Sequence, residues 1–218
     1  MKPVLFCDFD GTITENDNII QIMKHFQPTG WENIKNTVLS REVSVREGVG
    51  KIFSLLSSSE KNSIIEFVLS TASIREGFKE FVHYAKENGF PLYIVSGGID
   101  FFVKPILKGI IQEDLIYCNS ASFEGETIEI LWPHSCDSNC QNDCGCCKPS
   151  IIRQLTEKNN EIIVIGDSVT DLEAAKLSDF VIARDYLLDN CRELSLRHES
   201  FTDFFDVMDI LEKRRVLS

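Results

Sequence analysis

The sequence predicts an α/β fold, a Rossmann-like doubly wound parallel sheet interrupted by an all-helical insertion. Three observations predict it. Short, branched apolar runs at residues 4–7, 91–95, 161–165 and 180–183 have the length and composition of strands buried on both faces. Helix-spaced apolar residues lie between most of those runs, and alternating strands and helices build a parallel sheet with right-handed crossovers. Residues 16–73 carry helical patterns with no strand signal among them.

The first strand, 4–7, runs directly into Asp8-Phe9-Asp10-Gly11-Thr12. The insertion opens with Ile19, Ile20, Met23 and Phe26 on one helix, turns at Pro28-Thr29-Gly30, and continues as helices over 31–39, 45–56 and 60–69. A bundle inserted there stands over the end of the first strand. The expected division is therefore a catalytic core of residues 1–15 and 74–218 and a helical cap of residues 16–73. Phe78, Phe81, Val82 and Ala85 recur at helical spacing and stop at Asn88-Gly89. Strand 91–95 leads to Ser96-Gly97-Gly98. Residues 121–123 and 127–131 flank Glu124-Gly125-Glu126 in the manner of a hairpin. Ile151, Ile152 and Leu155 mark a helix before strand 161–165, and residues 171–177 open another before strand 180–183. Phe201, Phe204, Phe205, Met208 and Leu211 predict a terminal amphipathic helix.

A length of 218 residues, 43% apolar and 26% charged, suits one soluble domain with an insertion. The net charge of −12 argues against nucleic acid or an anionic membrane as partner, and it requires an anionic substrate to be drawn in locally. No apolar run approaches the roughly 20 residues that span a bilayer. The first residues are too few and wrongly flanked for a signal peptide. The expectation is a cytoplasmic protein acting on a small molecule.

Ligands of open α/β sheets bind beyond the C-terminal strand ends, and the candidate reactive residues fall there. Asp8 and Asp10 share a side as the chain leaves the first strand. Carboxylates at a buried strand tip need compensation by a metal, hydrogen bonds or a ligand; alone, such a pair also fits a solvated turn. Asp167 and Asp171 lie about one helical turn apart behind strand 161–165. They suit a hard cation such as Mg2+, although Asp171 alone also fits a helix cap. Ser96 and Gly97 offer a hydroxyl and exposed amides to phosphate oxygens, where a purely geometric turn would look the same. Lys148 precedes an amphipathic helix, placed to reach a phosphate, to restrain the Asp8 carboxylate, or to sit in solvent.

In this order, Asp8-x-Asp10-Gly11-Thr12, Ser96, Lys148 and Gly166-Asp167-x-x-x-Asp171 resemble the four motifs of the haloacid dehalogenase superfamily of phosphotransferases. The helical insertion and Val95-Ser96-Gly97-Gly98 resemble that family's first cap type and its phosphoserine phosphatase branch. The opening Asp8 to Thr14, the length and the cysteine-rich run before Lys148 look like the phosphatases of methionine salvage. This resemblance implies a Mg2+-dependent phosphomonoesterase working through an aspartyl-phosphate. It makes Asp8 the nucleophile and Asp10 the acid and then the base. It places Asp8, the Asp10 backbone carbonyl, Asp167 and Asp171 around the metal, and Ser96, Gly97 and Lys148 on the phosphate. The implied substrate is 2-hydroxy-3-keto-5-methylthiopentenyl-1-phosphate. Another small-metabolite phosphatase or a phosphotransferase is the alternative, and a metal- or redox-responsive binding protein on the same scaffold is a reading of a different class. Asp17, Arg46 and Lys51, with Phe26 and Trp31 as walls, are candidate specificity residues, each better explained so far by an ordinary surface or packing role.

Eight cysteines divide into two groups. Cys7, Cys118 and Cys191 are scattered and read as small core residues. Cys136, Cys140, Cys144, Cys146 and Cys147 crowd a short run that exceeds any packing need. A structural metal site with His134 as a possible helper, redox-sensitive thiols, and a loop without metal all fit that run.

Overall fold

A computed structural model of the chain describes residues 2–216. The first strand, β1 (Lys2–Cys7), is followed by α1 (Asn18–Phe26), α2 (Trp31–Leu39), α3 (Val45–Phe53) and α4 (Lys61–Thr71). The chain then forms α5 (Phe78–Glu87), β2 (Leu92–Ile99), α6 (Asp100–Leu107), β3 (Ile116–Ser122) and β4 (Glu129–Leu131). It continues through α7 (Lys148–Leu155), β5 (Asn160–Gly166), α8 (Leu172–Ala175), β6 (Phe180–Ala183), α9 (Asp185–Glu193), β7 (His198–Ser200) and α10 (Phe204–Val216).

The seven strands form one sheet in the order β4-β3-β2-β1-β5-β6-β7. Every pairing is parallel except β3 with β4. From β1 the chain builds outward through β2, β3 and β4, then returns to the other side of β1 for β5, β6 and β7. That reversal opens a crevice beside the C-terminal end of β1, the usual ligand site of such sheets. Alternate residues of β1 feed two cores. Leu5 and Cys7 pack with Ile94, Ile163, Phe78, Phe81 and Phe204, while Val4 and Phe6 pack with Val95, Val164, Ile151 and Ile152. Both faces of the strand are dry, which is why β1 is an unbroken apolar run.

The helices over 18–71 leave and rejoin the sheet at one point. Thr14 and Ile74 form an isolated antiparallel bridge, Glu15 N–H donates to the Ser73 carbonyl at 2.9 Å, and Arg75 N–H donates to the Ile13 carbonyl at 2.8 Å. The buried Arg75 guanidinium pins this junction, donating to the carbonyls of Thr12 and Gly11 at 2.8 Å each and pairing with Glu15 at 3.0 Å.

Several elements differ from expectation. β2 does not stop at residue 95 but runs through Ser96-Gly97-Gly98 to Ile99, with its register to β3 interrupted between Val95 and Ile99. The expected hairpin exists, yet its first strand is the far end of β3, whose near end pairs with β2. The terminal helix starts at Phe204 rather than residue 201, because the Asp203 carboxylate accepts the Phe205 and Asp206 amides. Residues 169–171 form a 3-10 turn ahead of a short α8. α6, α9 and β7 had no clear signal. In α6 the contiguous Phe101-Phe102-Val103 and Pro105 hide the helical period, and β7 is a short polar edge strand. Among the described residues no helix is long and apolar enough to cross a membrane.

Candidate active site

Asp8 sits one residue past β1, where its amide still donates to the Ile165 carbonyl of β5 at 2.9 Å. That bond carries the ladder beyond the strand and fixes Asp8 at the C-terminal end of the sheet's central strand. Asp167 follows β5 in the same way, and Asp171 closes the 3-10 turn behind it. One carboxylate oxygen from each of Asp8, Asp167 and Asp171 lies within 4.8 Å of the other two. Phe9 points the opposite way and is fully buried.

Lys148, the first residue of α7, is buried between two of these acids. Its Nζ donates to Asp8 Oδ1 at 2.7 Å and to Asp171 Oδ1 at 2.5 Å. Burial opposes its charge, but the Asp171 and Asp8 carboxylates outweigh that and hold the ammonium well above its ordinary range. Asp171 is saturated: its Oδ2 accepts from the Asp167 and Ser168 amides and from Ser168 Oγ. Burial and the neighbouring Asp171 push the Asp8 carboxyl well up, and the same two causes raise Asp167 to about 6. Three carboxyl groups thus share one ammonium in a largely buried group. A donor set made only of oxygens, with Thr12 Oγ1 steadying Asp167 Oδ1 at 2.6 Å, fits a hard divalent cation such as Mg2+.

The Asp10 carboxylate lies apart from that group. Its Oδ1 accepts from both the amide and the side-chain amide of Asn18, at 2.9 and 2.7 Å. Asn18 begins α1, so the first residue of the inserted helices holds this acid. Burial, then the Asp17 carboxylate, raise Asp10 to about 7, a value suited to giving and taking protons near neutrality. Ser96 Oγ is buried and accepts the Gly98 amide at 2.9 Å. A Cβ on Gly98 would stand 2.9 Å from Asp10 Oδ2, and one on Gly11, whose φ is +80°, would stand 2.4 Å from Asp167 Oδ2. Glycine at these two positions lets backbone approach the carboxylates. Gly97 has open space beside it.

The haloacid dehalogenase-like hydrolase family model matches residues 5–176. The chain belongs to that family. It is 59% identical to the 2-hydroxy-3-keto-5-methylthiopentenyl-1-phosphate phosphatase of Geobacillus thermodenitrificans (strain NG80-2) across 99% of this hydrolase and 98% of that protein. Among solved structures, a substrate-bound phosphoserine phosphatase complex superposes with a TM-score of 0.73 at 18% identity, covering 96% of this chain and 98% of that one. A phospho-aspartyl intermediate analogue of phosphoserine phosphatase gives 0.70 at 17% identity, with the same coverage. At such identity these two show the fold.

The hydrolase thus brings Asp8, Asp167, Asp171 and Lys148 together, with Asp10 and Ser96 meeting across Gly98. Other candidates have local partners. Asp17 caps α1 by accepting the Ile20 amide, Lys51 pairs with Glu47, and Arg46 pairs with Asp143 and stacks over Trp132. Phe26 packs edge-on to Phe67, and Trp31 is buried at the start of α2. The cysteine run divides: Cys136, Cys140, Cys144 and Cys147 converge, but Cys146 does not join them. Its side chain packs beneath the sheet with Phe6 and Val95, and burial pushes its thiol upward. The His134 ring packs against Tyr117 and is no part of the converging group. Asn18 and Arg75 are the residues that the sequence reading missed. Their partners are a carboxylate eight residues away and backbone carbonyls, which leave no motif.

Proposed function

We propose that this hydrolase dephosphorylates 2-hydroxy-3-keto-5-methylthiopentenyl-1-phosphate to 1,2-dihydroxy-3-keto-5-methylthiopentene through a phosphorylated Asp8. The observation that carries the reading is the 59% identity, over nearly the full length, to a phosphatase of that name, joined to two carboxylates in different surroundings. Asp8 is paired with Lys148, whereas Asp10 is held apart with a value near neutrality.

In the first step an Asp8 oxygen bonds to phosphorus while the phosphorus–oxygen bond to the substrate breaks, and Asp10 gives its proton to the departing oxygen. In the second, Asp10 takes a proton from water, whose oxygen bonds to phosphorus, and the Asp8–phosphorus bond breaks to release phosphate. Ser96, the Gly97 amide and Lys148 hold the transferring group and oppose its charge. Asp8, Asp167 and the Asp10 backbone carbonyl would hold Mg2+, with Asp171 fixing Lys148 and the Asp167 loop behind them. A bound Mg2+ supplies the charge that lets an anionic phosphate approach an aspartate. Residues 16–73 act as a cap that sets substrate choice, supported by the meeting of its two ends at Thr14 and Ile74 and by Asn18 reaching Asp10. The same reading places the enzyme in the cytoplasm, acting on a small metabolite rather than nucleic acid or membrane, as its net charge of −12 favours.

The test is kcat/KM with Mg2+ across a panel containing this ester, phosphoserine and other small phosphomonoesters. The salvage ester should exceed the rest by about 10^2-fold or more. Equal or better turnover of phosphoserine would move the substrate assignment to that branch.

A further inference from the structure

The loop between β4 and α7 holds five cysteines, and four of them are arranged for a different chemistry. One Sγ from each of Cys136, Cys140, Cys144 and Cys147 lies within 4.8 Å of the other three. The Cys140 and Cys144 sulfurs are 3.8 Å apart. Thiolates about 2.3 Å from a tetrahedral zinc are separated by about 3.8 Å along each edge, so the cluster has the dimensions of a single coordination sphere. All four residues are free thiols. Cys146 lies between two of them in sequence yet directs its Sγ at the Tyr117 carbonyl, 3.7 Å away. Crowding of cysteines in sequence is therefore not what brings the four together.

The backbone and its neighbours serve this convergence. Asp143 and Gly145 take left-handed conformations, φ +49° and +81°, which reverse the chain between the ligands. A Cβ at Gly145 would meet the Trp132 ring at 2.7 Å. Polar hydrogens are aimed at the sulfurs: the Cys144 amide donates to Cys136 Sγ at 3.4 Å, and Ser150 Oγ donates to Cys147 Sγ at 3.0 Å. Ser150 Oγ in turn accepts the Asp137 amide at 2.9 Å. Outer donors of this kind orient and stabilise thiolate ligands. Cys147 also stands at the N-terminal end of α7, where the helix dipole favours a negative sulfur.

We propose that Cys136, Cys140, Cys144 and Cys147 bind one Zn2+ in a closed, structural four-thiolate site. Each ligating thiol releases its proton to solvent as the metal binds, and the binding free energy becomes folding free energy. Cys147 immediately precedes Lys148, so the ion fixes the turn that aims the ammonium at Asp8. From the same loop Asp143 accepts Ser44 Oγ at 2.6 Å and Arg46 at 3.2 Å, next to and within the start of α3. The zinc site therefore ties the catalytic lysine and the inserted helices to one rigid loop.

The test uses the full chain purified under reducing conditions without chelator. Elemental analysis should find about one zinc per chain. Cobalt added to the zinc-free, reduced protein should produce sulfur-to-cobalt charge-transfer absorption with tetrahedral d–d bands. Cys140→Ser and Cys144→Ser should each lower bound zinc by about 10-fold or more, and Cys146→Ala should retain it. If a serine variant fails to fold, the cobalt spectrum of the wild-type chain still decides. The proposal is overturned by a wild-type chain with neither zinc nor a thiolate–cobalt band, or by iron in place of zinc. It is equally overturned by a disulfide among the four in protein alkylated at lysis, or by loss of zinc in Cys146→Ala.

Discussion

The Lys148 ammonium donates to the Asp8 carboxylate at 2.7 Å, and both side chains are almost wholly removed from water. Such a pair is an expensive way to stabilise a fold, because each ion gives up hydration that their attraction barely returns. Breaking it is costlier, since one buried charge is then left alone. The pair makes sense as a constraint on Asp8, holding one of its oxygens and leaving the other for the chemistry proposed for it.

Lys148→Met should therefore lose more than about 10^2-fold in kcat/KM and about 3 kcal/mol of stability near pH 8. The stability defect should shrink toward acid. Asp8 is already raised by burial and by Asp171, and without the lysine it keeps its proton to still higher pH. The folded variant then holds protons that the unfolded chain has released, so stability falls as pH rises above the ordinary carboxylate value near about 4. Chemical denaturation of both proteins at several pH values measures the difference.

Asp10→Asn should slow turnover of esters with poor leaving groups by about 10^2- to 10^4-fold. With an activated aryl phosphate the first step needs no acid, but water still lacks its base. Phosphorylated enzyme should then accumulate and be visible by intact mass after acid quenching.

The alkaline side of the pH profile should report Asp10, raised to about 7 by burial and by Asp17. It must be protonated to assist departure, so kcat/KM for a poor leaving group should fall above that pH. The Asn18 side-chain amide donates to this carboxylate and favours its charged form. Asn18→Ala should therefore move the falling limb upward by about one pH unit. Comparison with the wild type on one substrate removes the titration of the substrate phosphate.

Gly11→Ala places a methyl group where Asp167 Oδ2 stands, at a backbone φ of +80°. The variant should lose at least about 1 kcal/mol of stability. It should also need more Mg2+ for half-maximal activity, because Asp167 must move aside. A Mg2+ titration of activity, read beside thermal unfolding, separates the two effects.

Much of this was legible where local pattern and tertiary role coincide. α2, α5 and β6 stand where periodicity or branched runs put them, and the acids at the tips of β1 and β5 are visible because buried strands cannot end in charge without a reason. Ser96 shows where that logic fails: its glycines resemble a turn, yet β2 continues through them, and a Cβ on Gly98 would crowd Asp10. Asn18 and Arg75 were silent because they act on groups that no spacing reveals. Of the five cysteines in the run, four converge and Cys146 packs into the core, a division the spacing does not show. Cys147 stands in extended backbone, where neighbouring side chains point to opposite sides, so it reaches the cluster while Cys146 enters the core.

The most direct test of the proposed chemistry is the position of the phosphoryl group in Asp10→Asn quenched during turnover of an activated ester. Borohydride reduction and peptide mass mapping should place the modification at Asp8 alone, and Asp8→Asn in the same background should carry none. A phosphoryl group on any other residue, or turnover that survives Asp8→Asn, would contradict the account.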